Sequence, residues 1–242
     1  MFWQTTGKAA LASILVASLL VLTGCGSGEE EPQAAGTPET TEGTDDTTPR
    51  VTPASGNATD SPFENAPKPA PVANPEVLFR TSHGEITVEL DAKNAPMTVD
   101  NFLENYVKRG FYNGTVFHYV DPVSMIVGGG YDSQYQLKET RAEIRSEADN
   151  GLSNTQGTLA MARAPDFAHS ATSQFFFNLA DNTQFDHQSA ESAQTYGYCV
   201  FGKVTGGMAV IDKIAGSPTK ASEISPSLPA EPVVIHSIEV IK

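Results

Sequence analysis

The residues of this 242-residue chain that could do chemistry gather in a few short stretches. Ser173-Gln174-Phe175-Phe176-Phe177-Asn178 sets a glutamine amide, which both donates and accepts hydrogen bonds, beside three aromatic rings. Ten residues upstream, Gly157-Thr158-Leu159-Ala160-Met161-Ala162-Arg163 is a run of small residues ending in a cation. Phe117-His118-Tyr119 adds an imidazole and a phenol. By type alone these allow two readings: plain core residues with a solvated glutamine at a sheet edge, or an amide set against an apolar pocket. Metal chemistry is poorly supplied, because the five histidines are scattered and no cluster has ligand spacing. The thiols are Cys25 and Cys199. Cys199 lies in the strand-like run Tyr198-Cys199-Val200-Phe201, where a lone thiol acts as a small buried hydrophobe.

The elements that must position these residues are mostly strands. Val77–Arg80 and Glu85–Leu90 flank Ser82-His83-Gly84, a hairpin with glycine in its turn. Ile86, Val88 and Leu90 alternate with Glu85, Thr87 and Glu89, the pattern of a half-buried strand. Val99, Phe102, Leu103, Tyr106 and Val107 then form one apolar helical stripe, begun by Pro96 and ended by Gly110. Further strands are expected at Val116–Val120, Met125–Val127, Thr158–Ala162, Gln174–Asn178, Tyr198–Val204 and Val233–Ile241, with a short helix at Met208–Ile214. Eight strands and two helices suit a mainly β fold. Periodicity admits a closed antiparallel barrel or a sandwich.

The N-terminal part is of another kind. Met1–Lys8 carries one lysine, and Ala9–Val21 is an apolar run of 13 residues, short for a membrane span and suited to a signal peptide. Leu22-Thr23-Gly24-Cys25 resembles a bacterial lipobox, which implies a signal at 1–24 and acyl chains, palmitate among them, on Cys25. Two lipid signals suffice for stable anchoring. Gly26 rather than Asp follows the cysteine, so an outer-membrane or cell-surface address is expected over inner-membrane retention. With Cys25 lipidated, Cys199 has no partner for an intrachain disulfide. Residues 25–74 read as a disordered tether: Gly26–Asn74 is rich in Pro, Thr and acids and carries nine carboxylates against Arg50 and Lys68. Its net charge of −7 is half the chain's −14. Residues 75–242, with 20 acids and 12 bases, form one domain and make nucleic acid an unsuitable partner.

The domain resembles the cyclophilins, the β-barrel peptidyl-prolyl isomerases. The resemblance rests on Gly84-Glu85-Ile86, Gly110-Phe111-Tyr112, Phe117-His118, Gly128-Gly129, Gly157–Arg163, Gln174-Phe175-Phe176 and Val200–Val204, in order from about Glu76 to Ile241. It implies the closed eight-stranded antiparallel barrel, capped by two helices. It also implies a proline pocket of Met125, Ala162, Gln174, Phe176 and Phe185, with Tyr198 at the rim. Phe176 and Met125 would form the apolar floor, and Gln174 would bind the peptide backbone.

The departures from the family pattern cluster at the chemistry. Tyr119 stands where the family has a catalytic arginine, Val127 where a glutamine orients it, Ser124 where an aromatic forms a wall, and Gln184 where an aromatic forms the rim. His118, as the strand neighbour of Tyr119, is expected to point away from it. Arg163 is either a substitute cation or a solvated rim charge. The resemblance therefore implies either a weakened, envelope-anchored isomerase that assists folding, or a non-catalytic module that binds peptides or proteins. No cofactor or metal is implied. The expected partners are proline-containing peptides or unfolded envelope proteins, and the expected state is a monomer.

Overall fold

The computed structural model describes residues 74–242. The signal segment, Cys25 and nearly all of the tether lie outside the described residues. Eight strands close into an antiparallel barrel: β1 (Glu76–Thr81), β2 (Gly84–Leu90), β3 (Thr115–Asp121), β4 (Met125–Asp132), β5 (Thr158–Met161), β6 (Phe175–Asn178), β7 (Val200–Gly206) and β10 (Val233–Val240). Their order round the barrel is β1-β10-β3-β4-β6-β5-β7-β2, so closure removes every free edge and excludes the sandwich.

In β2, Ile86, Val88 and Leu90 are buried while Glu85 and Glu89 are exposed, as alternation predicts. The interior is aromatic. Phe79 meets Phe175 and Phe177 edge to face at 5.6 and 5.5 Å, and Phe102 lies 5.3 Å from both Tyr112 and Phe201.

Both expected helices are present. The first starts at Pro96 as α1 (Pro96–Asp100) and continues over Asn101–Val107 with wider π turns. All five residues of its stripe are buried. The second, α3 (Met208–Ala215), buries Ile211, Ile214 and Ala215 in the same core. Three features lie beyond what periodicity reveals: a 3-10 turn at Thr183–Phe185, α2 (Ala193–Tyr196), and a pairing of β8 (Thr219–Lys220) with β9 (Leu228–Pro229). Each is too short to show a repeat. Ser192 and Thr195 cap α2 reciprocally.

Two strands begin later than the sequence suggests. Tyr198 precedes β7 because its N–H donates to Phe185 O at 2.8 Å, across a loop rather than along the barrel. Gln174 precedes β6 and keeps one ladder bond, accepting from Ala162 N–H at 2.9 Å.

Cys199 is buried, and burial pushes its thiol up to about 12. It is an inert part of the core.

Candidate active site

Outward-facing residues of five adjacent strands form one row. Tyr119 on β3 pairs with Val127 on β4, Val127 with Phe176 on β6, Phe176 with Ala160 on β5, and Ala160 with Val200 on β7. These five make a buried apolar cluster separate from the barrel interior, with Met125, Leu152, Ala162, Phe185 and Tyr198 packed round it. Phe176, Phe185 and Tyr198 meet pairwise edge to face, at centroid distances of 6.2, 5.6 and 5.3 Å. Such pairs contribute about 0.5–1.5 kcal/mol beyond their burial, so the floor is stiff. The structure thus brings together Tyr119, Met125, Val127, Ala162, Phe176, Phe185 and Tyr198. Ala160, Val200 and Leu152 belong with them but were not singled out; the period-2 spacing of Ala160 with Ala162 and of Val200 with Tyr198 carries that signal for two of them.

Tyr119 is 9% exposed. Burial and, after it, the charge of Asp121 raise its phenol above the usual tyrosine range, so at neutral pH it offers an uncharged O–H.

Gln174 lies on the same side as Phe176 but beyond the apolar row, in a cavity of about 210 Å³. The buried Ser173 holds it there, with its carbonyl accepting from Tyr112 Oη–H at 2.7 Å and its own hydroxyl donating to Gly129 O at 3.0 Å. Its side chain passes directly over Gly130, where a Cβ would sit 2.6 Å from Gln174 Cδ. Glycine at 130 is what gives the amide its place.

His118 does not point away. Phe117 pairs with Gly128 and Tyr119 with Val127, leaving His118 as an extra residue in a bulge. Phe117 and Val120 face the barrel interior, while His118 lines the cavity beside Gln174 and stacks on Tyr131 at 4.8 Å. It is 1% exposed, and neither ring nitrogen has a hydrogen-bond partner. Burial lowers its pKa to about 4; the nearby Val116 backbone tempers the shift without bonding to the ring.

Arg163 is neither a free cation nor a solvated rim charge. Nε donates to Gly197 O at 3.0 Å, Nη1 to Ala164 O at 2.9 Å and Pro165 O at 3.0 Å, and Nη2 to Ala193 O at 2.5 Å. The guanidinium also stacks 4.4 Å over the Tyr198 ring. Its bonds to Ala193 and Gly197 fasten the 193–197 segment to the site, and the other two brace its own loop.

Ser124 and Gln184 likewise belong to the frame. Ser124 Oγ donates to Asn182 Oδ1 at 3.3 Å, and Asn182 Nδ2 donates back to Ser124 O at 3.0 Å and to Asn178 Oδ1 at 2.8 Å. Gln184 is exposed and reaches Asn182 Oδ1 at 3.4 Å. Asn182, 4% exposed, is the hub of this network and carries no signal in the sequence alone. Among the described residues there is no group of three or more His, Cys, Asp or Glu placed to hold a metal ion.

The arrangement is a stiff aromatic floor with a phenol at one end and an amide beside it, a shape for a small apolar ring joined to peptide backbone. Comparison with known proteins gives the family. The chain is 49% identical over 166 residues to peptidyl-prolyl cis-trans isomerase B of Escherichia coli (strain K12), covering 68% of this chain and 98% of that protein. It is 48% identical over 171 residues to a peptidyl-prolyl cis-trans isomerase of Acinetobacter baylyi, covering 70% and 87%. A crystal structure of a Cryptosporidium parvum cyclophilin type isomerase, determined in the presence of the dipeptide Ala-Pro, shares the fold with a TM-score of 0.57 at 22% identity, covering 69% of this chain and 99% of that one. Residues 76–240 match the family described as cyclophilin type peptidyl-prolyl cis-trans isomerase/CLD, and the chain belongs to that family.

Proposed function

We propose that this chain is a peptidyl-prolyl isomerase of reduced catalytic power, held to the cell envelope by lipid on Cys25, that acts on proline-containing segments of folding envelope proteins. The observation that carries this reading is the row Tyr119–Val127–Phe176, an intact proline floor with a phenol at its end.

An X–Pro amide resists rotation by ~18–20 kcal/mol because the nitrogen lone pair is shared with the carbonyl. Rotation proceeds when that pair localises on nitrogen, and a donor aimed at the nitrogen favours the twisted transition state over the planar ground state. In this reading the proline ring rests on Phe176 and Met125 and the Gln174 amide binds the adjacent backbone. The Tyr119 O–H is then the donor available. It lacks the fixed charge and planar fork of a guanidinium. Losing one preorganised donor costs about 10²–10³ in rate in other enzymes, and a deficit of that order is expected here.

A second reading, a peptide-binding module without turnover, is favoured by one observation: Arg163 spends four of its five N–H donors on backbone carbonyls. Exchange measurements on an Ala–Pro tetrapeptide with the full chain separate the two. Acceleration about 10²–10³ below that of an arginine-bearing cyclophilin supports the first reading, and binding without acceleration selects the second. Turnover equal to the arginine-bearing enzyme overturns the claim of reduced power.

The expected anchor follows from the lipobox at Leu22–Cys25 and the acidic tether, which support an outer-membrane or cell-surface site for a monomer.

A further inference from the structure

A groove of about 620 Å³ lies next to the site and takes no part in the reading above. Its floor is the buried Tyr196, whose ring stands between His169 and His187 at 4.9 Å from each. Phe167, 69% exposed, marks the rim. Four exposed carboxylates line it, Glu143, Asp149, Asp166 and Glu191, against one arginine, Arg145. None of the four is in a salt bridge among the described residues.

The groove adjoins the Gln174 cavity. Glu143 lines both, and Arg163, which walls the cavity, donates to Ala193 on the groove's side. In that neighbouring cavity sits His118 with both nitrogens unpartnered, a buried polar group that a polar atom of a bound chain would satisfy.

We propose that the groove extends the substrate site and takes a lysine or arginine side chain of a client chain whose proline lies on Phe176. The proposal rests on the proline-site reading given above. Charge decides the occupant: four carboxylates against one arginine attract a basic side chain, and the aromatic floor and rim suit its aliphatic stem and its charge. The chain's own tether is a poor fit, with nine acids against two bases, and a second copy of this acidic domain is no better.

The test uses the full chain and three peptides: a neutral Ala–Pro tetrapeptide, and two decapeptides with a central proline that differ only in carrying Lys-Lys or Glu-Glu pairs flanking it at three to four residues. Binding is followed by NMR titration at low salt and in 0.5 M sodium chloride. The lysine peptide should bind about tenfold tighter than the glutamate peptide at low salt, shift the Asp166, Phe167 and Glu191 signals, and lose most of its advantage in high salt. Combining Asp149→Asn, Asp166→Asn and Glu191→Gln should abolish the preference while the tetrapeptide binds as before; these exposed substitutions leave the core untouched. Equal binding of the two decapeptides, or a preference that survives the triple variant, overturns the extension alone. A tetrapeptide that leaves Phe176 unmoved overturns the proline-site reading and the extension with it.

Discussion

Tyr119 lies directly across the β3–β4 ladder from Val127, with Phe176 the next residue in the same row. An arginine restored at 119 would therefore emerge beside an aliphatic neighbour with nothing to orient it. Tyr119→Arg alone is expected to raise kcat/KM only a few-fold. Tyr119→Arg with Val127→Gln should exceed the product of the two single effects, because cross-strand partners act as a unit. Tyr119→Phe should remove most of the residual rate if the phenol is the donor. Exchange rates on one Ala–Pro peptide across the four variants check all three outcomes. Ser124 is best left alone, since Ser124→Phe would remove the hydroxyl that donates to the buried Asn182.

Stability should fall on mild acidification, and His118 should be a main cause. Its pKa is lowered to about 4 in the folded protein, against 6.5 unfolded, so the unfolded chain binds the extra proton between those values. Stability is thus complete above about pH 6.5 and is lost as pH drops toward 4, by about 3 kcal/mol at ~1.4 kcal/mol per unit. Urea titrations at pH 7 and pH 4.5 should show this loss in the native chain and a smaller one in His118→Leu. Equal losses in both would remove the histidine from the account.

Arg163→Met separates fastening from chemistry. Removing four charge-assisted bonds and the Tyr198 stack should cost about 2–3 kcal/mol and loosen the 193–197 segment. The expected kinetic signature is a raised KM with kcat within a few-fold of the native value. A folded Arg163→Met protein with kcat abolished would assign the guanidinium to the reaction instead.

Cys25→Ser is expected to move the protein from the membrane to the soluble fraction of the envelope. Cell fractionation with an antibody to the folded domain reads this directly. Retention in the membrane fraction would rule out lipid on Cys25 as the anchor.

The strands and their buried faces were legible in the sequence by alternation, whereas the closed barrel and the pocket residues came from the resemblance to the cyclophilins. Ile86, Val88 and Leu90 declare their face by period, as Phe175 and Phe177 against Phe176 do once the strand is placed. His118 was misplaced because a single bulged residue reverses parity, and parity is all that alternation offers. Arg163 could not be read because its partners Ala193 and Gly197 lie some thirty residues on, in a loop whose path depends on the finished fold. Asn182 was silent for the same reason: its partners are Ser124, far upstream, and Asn178, joined to it by a turn.

Gln174 and the first three residues of β6 divide their labour by direction, and this bears on how such a site can change. Phe175 and Phe177 fill the barrel, while Phe176 faces out with Gln174. Substitutions in the outward set act on a second, smaller cluster and leave the packing of the barrel interior in place. A change of length is another matter. One residue added or lost within Gln174–Phe177 would turn the residues beyond it to the opposite face, exchanging floor for core in a single step. The site is free to drift in composition and fixed in phase.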